Sequence, residues 1–325
     1  MPSIYVHNYF AKEIQNKLNE TKNKKIKDPT YFYIFAQSFD NLFYYDFFKP
    51  LLGIKYRKLG HYAHAHNTWK YFESLLKNIK NNNLYNDETL GYLYGSLAHY
   101  ALDSTEHPYI HYISGRYSKS DKKNTKKYRG YHTSNEIMLD AIYYYKDHKN
   151  SKYYNYKLYK DLIPKLSFSK DLTNLISNTF KETFGVDNLG VIYNKSYNHS
   201  RLAYKYLMFD RFNIKRIIYK GVDLAYPFKR FKANSYSHHI NVPNMKVLNT
   251  SHETWLHPIT GEEHNESFYD LYDIALKKVM NYIDICNKYF DNKCSLKKVE
   301  KVIGNINYSS GLDCDIRAKF KYFKH

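Results

Sequence analysis

The sequence is short of chain breakers and shorter still of cysteine. Twelve glycines and eight prolines in 325 residues are too few for a sandwich of short strands, which needs turn residues at roughly every 8–12 positions. Cys286, Cys294 and Cys314 are the three cysteines, all near the C-terminal end. So sparse and odd a set excludes a disulfide framework and fits a reducing compartment. Their spacing matches no zinc ribbon, so a metal in this chain would be held by histidine and carboxylate. No stretch approaches the roughly 18 consecutive apolar residues of a membrane span; the aromatic FYYDFFKPLLGI is interrupted by Asp46 and Lys49. The opening MPSIYVHNYFAKEIQNKL has no basic region followed by an apolar run, so no secretory signal is visible. These absences predict a soluble, cytoplasmic chain, with association at the inner face of a membrane left open. Acidic residues are also scarce: 31 Asp and Glu against 50 Lys and Arg give a formal charge of +19. That surplus suits a polyanionic partner, whether nucleic acid, anionic lipid or a phosphorylated substrate, and does not choose among them.

What the chain has in excess is aromatic: 38 Tyr and 19 Phe. With few breakers, they favour an all-α globule packed through aromatic rings. The length suits one domain spanning 1–325, less regular after about residue 225, with no linker or internal repeat. Helical periodicity runs from Asp87, a candidate cap, through Leu90, Leu93, Tyr94, Leu97 and Ala101. Pro108 disfavours helical geometry at the residue before it, so this helix is expected to fray at His107. Similar patterns occur around 61–79, 132–147, 171–183 and 187–211. The clearest is 267–290, where Phe268, Leu271, Ala275, Val279, Ile283 and Cys286 mark one face. The segment 240–250 reads as extended.

The chemistry concentrates in GSLAHYALDSTEHPYIH (95–111), where His99, Asp103, His107 and His111 follow at four-residue intervals. Residues four apart share a helix face, about 6 Å apart along the axis. A second pair, His132 and Glu136, repeats the spacing in YHTSNEIMLD. Upstream lie His7, Asp40 in AQSFDNLFYY, and His61, His64 and His66 in LGHYAHAHNTW. With 16 histidines, one such pair is expected by chance; two, joined by a third histidine, are not. Imidazole plus carboxylate is the ligand mix of hydrolytic zinc sites, which keep positions open for water and substrate. The protease signature HExxH is absent. Asp140 continues the His132/Glu136 face and reads as a solvated or supporting carboxylate. Trp255 and His257 read as core or as pocket lining. The basic segment GRYSKSDKKNTKKYRG (115–130) reads as a solvated loop or as a flap beside the site, where Lys122, Lys126 and Arg129 would attract an anionic substrate.

In order along the chain, MPSIYVHNYF, FAQSFDNLFYY, LGHYAHAHNTWKYF, GSLAHYALDSTEHPYI and YHTSNEIMLD resemble the bacterial zinc-dependent phospholipase C family, related in fold to the S1/P1 nucleases. The later NTSHETWLHPITGEEHNESFYDLYDIAL and NYSSGLDCD resemble its intracellular members. The resemblance implies a multi-helix globule around three zinc ions. Asp40, His64, His99 and Asp103 would hold one, and His107, His132 and Glu136 a second with open positions. His7 and Asp103 would hold the third with the main-chain amine and carbonyl of the first residue. Removal of Met1 would make that residue Pro2. The implied reaction is phospholipase C-type hydrolysis of a phosphodiester by a metal-activated water, with Asp40 the candidate general base and Glu136 needed for turnover. A nuclease or other phosphoesterase with the same metals, and a non-catalytic zinc-stabilised protein binding a lipid surface, are the alternatives. No obligate protein partner is implied. His61, His66 and His111 are expected outside the ligand set. Phe39 stands before the aspartate where the family usually has proline, and no membrane-binding β-sandwich of the secreted toxins is recognisable.

Overall fold

The computed structural model describes residues 4–21, 25–49, 51–116, 127–148, 158–210, 214–225, 232–238 and 244–324. Among them the regular structure is helical apart from a hairpin of two-residue strands, β1 (Trp255–Leu256) with β2 (Glu263–His264). The all-α expectation is met.

One helix organises the rest. α5 (Asp87–Ile113) is buried along almost its whole length, from Thr89 to Ile110, its ionisable side chains included. Its cap is Asn86, whose side chain accepts from the N–H groups of Glu88 and Thr89. Asp87, the expected cap, instead accepts from the N–H groups of Lys27 and Asp28 at 2.8 and 2.9 Å, tying the start of α5 to the segment before α2 (Thr30–Phe35). α2 then lies directly against α5. A Cβ at Gly95 would fall 2.5 Å from the carbonyl carbon of Phe35, so glycine at that position permits the approach.

α5 does not fray at His107. It runs through Pro108 to Ile113, because the surrounding packing compensates for the missing N–H. The Ser104 carbonyl, which Pro108 cannot bond, faces Gly311, where an added Cβ would sit 2.7 Å away.

α1 (Ile4–Glu20) and α6 (Tyr131–Asp147) flank one side of α5, and α11 (Phe268–Phe290) packs on another. The Ser267/Asp270 capping box starts α11, matching the expected 267–290 span. The expected 61–79 helix is two, α3 (Ile54–Ala63) and α4 (Thr68–Asn81), broken where Asn67 takes φ +59°; His64 sits at that break. The expected 171–183 helix is α8 (Lys170–Phe184), preceded by the short α7 (Leu158–Leu162). The expected 187–211 helix is α9 (Leu189–Ala203), ending in a π turn at Tyr204–Met208. α10 (Ile214–Ala225) and α12 (Leu296–Ile303) complete the helices considered below. Met245–Leu248 is a 3-10 turn, not extended, and 240–243 lie outside the described residues. One apolar cluster links Ile4 at the start to Tyr308 near the end.

Candidate metal centre

Four elements deliver the acid and imidazole groups to one buried place. α1 contributes His7. The 3-10 segment Ser38–Tyr44 contributes Asp40; it begins at Ser38, whose φ of +34° turns the chain tightly and whose carbonyl accepts from the Tyr193 hydroxyl. The α3–α4 break contributes His64. α5 contributes His99, Asp103 and His107 from consecutive turns of one face.

The distances are short. Asp103 Oδ1 lies 3.2 Å from His7 Nε2, while its Oδ2 lies 3.3 Å from His99 Nε2 and 3.5 Å from His107 Nδ1. Asp40 Oδ1 lies 3.2 Å from His64 Nε2. Beside this group, Glu136 Oε1 lies 3.2 Å from His107 Nε2 and 3.1 Å from His132 Nε2. His107 thus stays on the Asp103 face and also reaches Glu136. The potential ligand atoms cluster as His7–His99–Asp103, Asp40–His64–His99 and His107–His132–Glu136.

Backbone carbonyls orient the rings. Nδ1 of His64 is 2.7 Å from Gly60 O, and Nδ1 of His99 is 3.1 Å from Ala36 O. Each contact calls for an Nδ1–H donor, leaving Nε2 with a lone pair. Those two Nε2 atoms face each other at 3.1 Å, between the Asp40 and Asp103 carboxylates. Lone pairs and carboxylates converging in a dry site need a cation among them, so the residues present fit zinc. Both Asp103 oxygens are fully buried and face the imidazole nitrogens of His7, His99 and His107.

Protonation follows the same logic. Burial, with His7 and His64 nearby, pulls His99 down to about 3, keeping it a neutral ligand. Burial opposes ionisation of Asp103, but His107, His99 and His7 hold it well below the usual carboxylate range. Glu136 is likewise held low against burial by His132 and His107. His107 is raised to about 9: burial works against the charge, and Asp103 and Glu136 outweigh it.

Asp140, read from sequence as a supporting or solvated carboxylate, is fully buried. Its Oδ1 accepts from the N–H groups of Tyr5 and Val6 at 3.0 and 2.9 Å, and its Oδ2 lies 3.3 Å from His238 Nε2. It holds the first turn of α1, and so His7, in place. His61 stacks near Phe43 and His66 near Tyr62, neither in a ligand cluster. Trp255 is core, its indole N–H donating to Glu266 O, and His257 Nε2 contacts Ser310 O at 2.9 Å. Arg129 is buried with its guanidinium 4.0 Å from Asp223. Lys122, Lys126 and Pro2 lie outside the described residues.

The sequence reading missed Glu106, which joins Asp103 and His107 in a further cluster; its place one turn after Asp103 was the available signal. It also missed the wall of a cavity of about 670 Å³ opening beside His132. Arg116, Lys232 and Lys319 bring positive charge to it, while Tyr236, Phe320 and Phe323 bring rings. His111 stands at its inner end, its ring 4.7 Å from His132 and 4.3 Å from Phe320. Lys232 and Lys319 come from segments with no motif, so only assembly reveals them.

A helical globule with a buried imidazole–carboxylate cluster beside an open cationic cavity is the architecture of a metal-dependent hydrolase. A family model described as zinc dependent phospholipase C matches residues 6–186, and the chain belongs to that family. No curated protein and no solved structure matches it. Among the described residues, no helix is long and apolar enough to cross a membrane.

Proposed function

We propose that this protein is a hydrolase that cleaves the phosphodiester bond of a phospholipid in the manner of a phospholipase C. The observation that carries the reading is the open cavity joined to the His107–His132–Glu136 cluster: a purely structural metal site would be closed. Three zinc ions are assigned. Asp40, His64, His99 and Asp103 hold the first; His107, His132 and Glu136 hold the second; His7 and Asp103, with the amine and carbonyl of Pro2 after loss of Met1, hold the third. Bound zinc would neutralise phosphate oxygens and make a water nucleophilic near neutral pH. Asp40, kept ionised by His64 and His99 against its burial, is assigned as the group that would accept a proton from the nucleophile. His111 and Phe320 shape the inner wall of the cavity, and Arg116, Lys232 and Lys319 attract the anionic substrate. The same aromatic and basic lining favours single-stranded nucleic acid as the second reading.

A substrate panel decides. Zinc-loaded protein is expected to release diacylglycerol from phospholipid faster than it cleaves single-stranded DNA or bis(p-nitrophenyl) phosphate. Turnover of DNA without lipid would replace this reading with the nuclease, and no turnover at full zinc occupancy with the non-catalytic binding protein.

A further inference from the structure

α10 is an amphipathic helix placed with its polar side inward. Its sequence, IKRIIYKGVDLA, puts Ile214, Ile217, Ile218, Val222 and Leu224 on one arc and Lys215, Arg216, Tyr219 and Asp223 on the opposite one. In a water-soluble globule the apolar arc faces the core. Here the polar arc makes the attachments. Lys215 Nζ donates to Phe209 O at 2.7 Å, the Tyr219 hydroxyl to Leu207 O at 2.8 Å, and the Arg216 N–H to Asp210 at 2.8 Å. Asp223 accepts from the N–H groups of Ala233 and Asn234 at 2.7 and 3.0 Å. None of the helix's residues is buried; Ile217 is 70 % exposed, Ile218 57 % and Leu224 80 %.

We propose that the outward face of α10 docks the protein on an anionic lipid surface. The helix is about 18 Å long, far too short to span a bilayer and suited to lying in its interface with the apolar side chains inserted. Lys220 is exposed beside that apolar arc, and the whole chain carries a formal charge of +19. A lysine beside an exposed apolar arc is the pattern of interfacial helices, and the chain's surplus of positive charge complements an anionic lipid surface. The position has a consequence for the site. Asp223 fixes the start of the 3-10 turn Ala233–Tyr236, whose Ser235 and Tyr236 line the cavity beside His132. Asp223 thus ties the docking helix to the cavity wall. The value of docking for turnover rests on the proposed phospholipase reading, but the docking itself does not.

The test is co-sedimentation of zinc-loaded full-length protein with vesicles of phosphatidylcholine alone or with about one third phosphatidylglycerol. The wild type is expected to partition onto the anionic vesicles and to be released by salt. The Ile217→Asp/Leu224→Asp double variant should lose at least about tenfold in partition. Lys220→Glu should weaken binding and flatten its salt dependence. Both variants should keep the wild-type melting temperature and the wild-type rate on bis(p-nitrophenyl) phosphate. Equal partition of wild type and double variant would overturn the proposal. So would a wild-type dimer in sedimentation equilibrium that the double variant abolishes while vesicle binding is unchanged. Loss of partition in the variant, with no diester hydrolysis by either protein, would leave docking supported and remove the phospholipase reading alone.

Discussion

His64 and His99 point their Nε2 atoms at each other across 3.1 Å, each ring held by a backbone carbonyl behind it. Without a cation that contact is repulsive; with one it is a pair of ligands. Purified protein is therefore expected to carry about three zinc ions per chain by elemental analysis, the number proposed above. Chelation should lower its melting temperature, since a ligand bound only by the folded chain stabilises it. His99→Ala should lose metal and more than about a hundredfold in activity. A chelator that leaves the melting temperature unchanged would count against the centre.

Asp140 connects α6 to the first turn of α1. Asp140→Ala leaves two buried N–H groups unpaired and should cost roughly 2–4 kcal/mol in denaturant unfolding. It should also free His7, so that zinc falls from three ions to two. Asp140→Asn keeps an acceptor oxygen and should recover the metal. Equal zinc content in the alanine variant would place His7 outside the centre.

Glu106 supplies a pH test in chelated protein. Burial pushes its carboxyl up to about 8, above the value near 4.3 of an unfolded chain. A carboxyl raised on folding stabilises fully below the unfolded pKa, and that contribution is lost as the pH rises through the folded one. Zinc-free wild type should therefore lose on the order of 3 kcal/mol between pH 4.5 and 8 from this group. Glu106→Gln should flatten that window. Parallel stability curves for the two proteins would remove Glu106 as the cause.

The cavity cations predict a split in kinetic constants. Lys232→Glu and Lys319→Glu reverse charge on the cavity wall without touching the metal cluster. KM for an anionic phospholipid should rise by about tenfold while kcat changes little. An equal fall in kcat would mean that these lysines act on the reacting phosphate itself.

Spacing made the centre legible because α5 is one uninterrupted helix: His99, Asp103 and His107 had to share a face. It misjudged Pro108, since the local preference of the residue before proline gave way to packing that buries α5 on all sides. It misread 61–79 as one helix, because the break at Asn67 depends on a left-handed residue that no apolar pattern marks. Arg129 looked like surface charge, yet Asp223, ninety-four positions later, draws it inward. The reversed orientation of α10 was equally hidden, because periodicity identifies an apolar face but not what it meets.

Tyr308 links two of the imidazole-bearing residues through its own backbone. Its carbonyl lies 3.1 Å from His107 Nδ1, and its N–H donates to the carbonyl of His64, so a strap near the end of the chain sets two of the imidazoles. The family match stops at residue 186, and the backbone that contacts the His107 ring and the His64 carbonyl lies outside it. A change at this strap is therefore felt at His64 and His107 together, although both lie far from it in sequence.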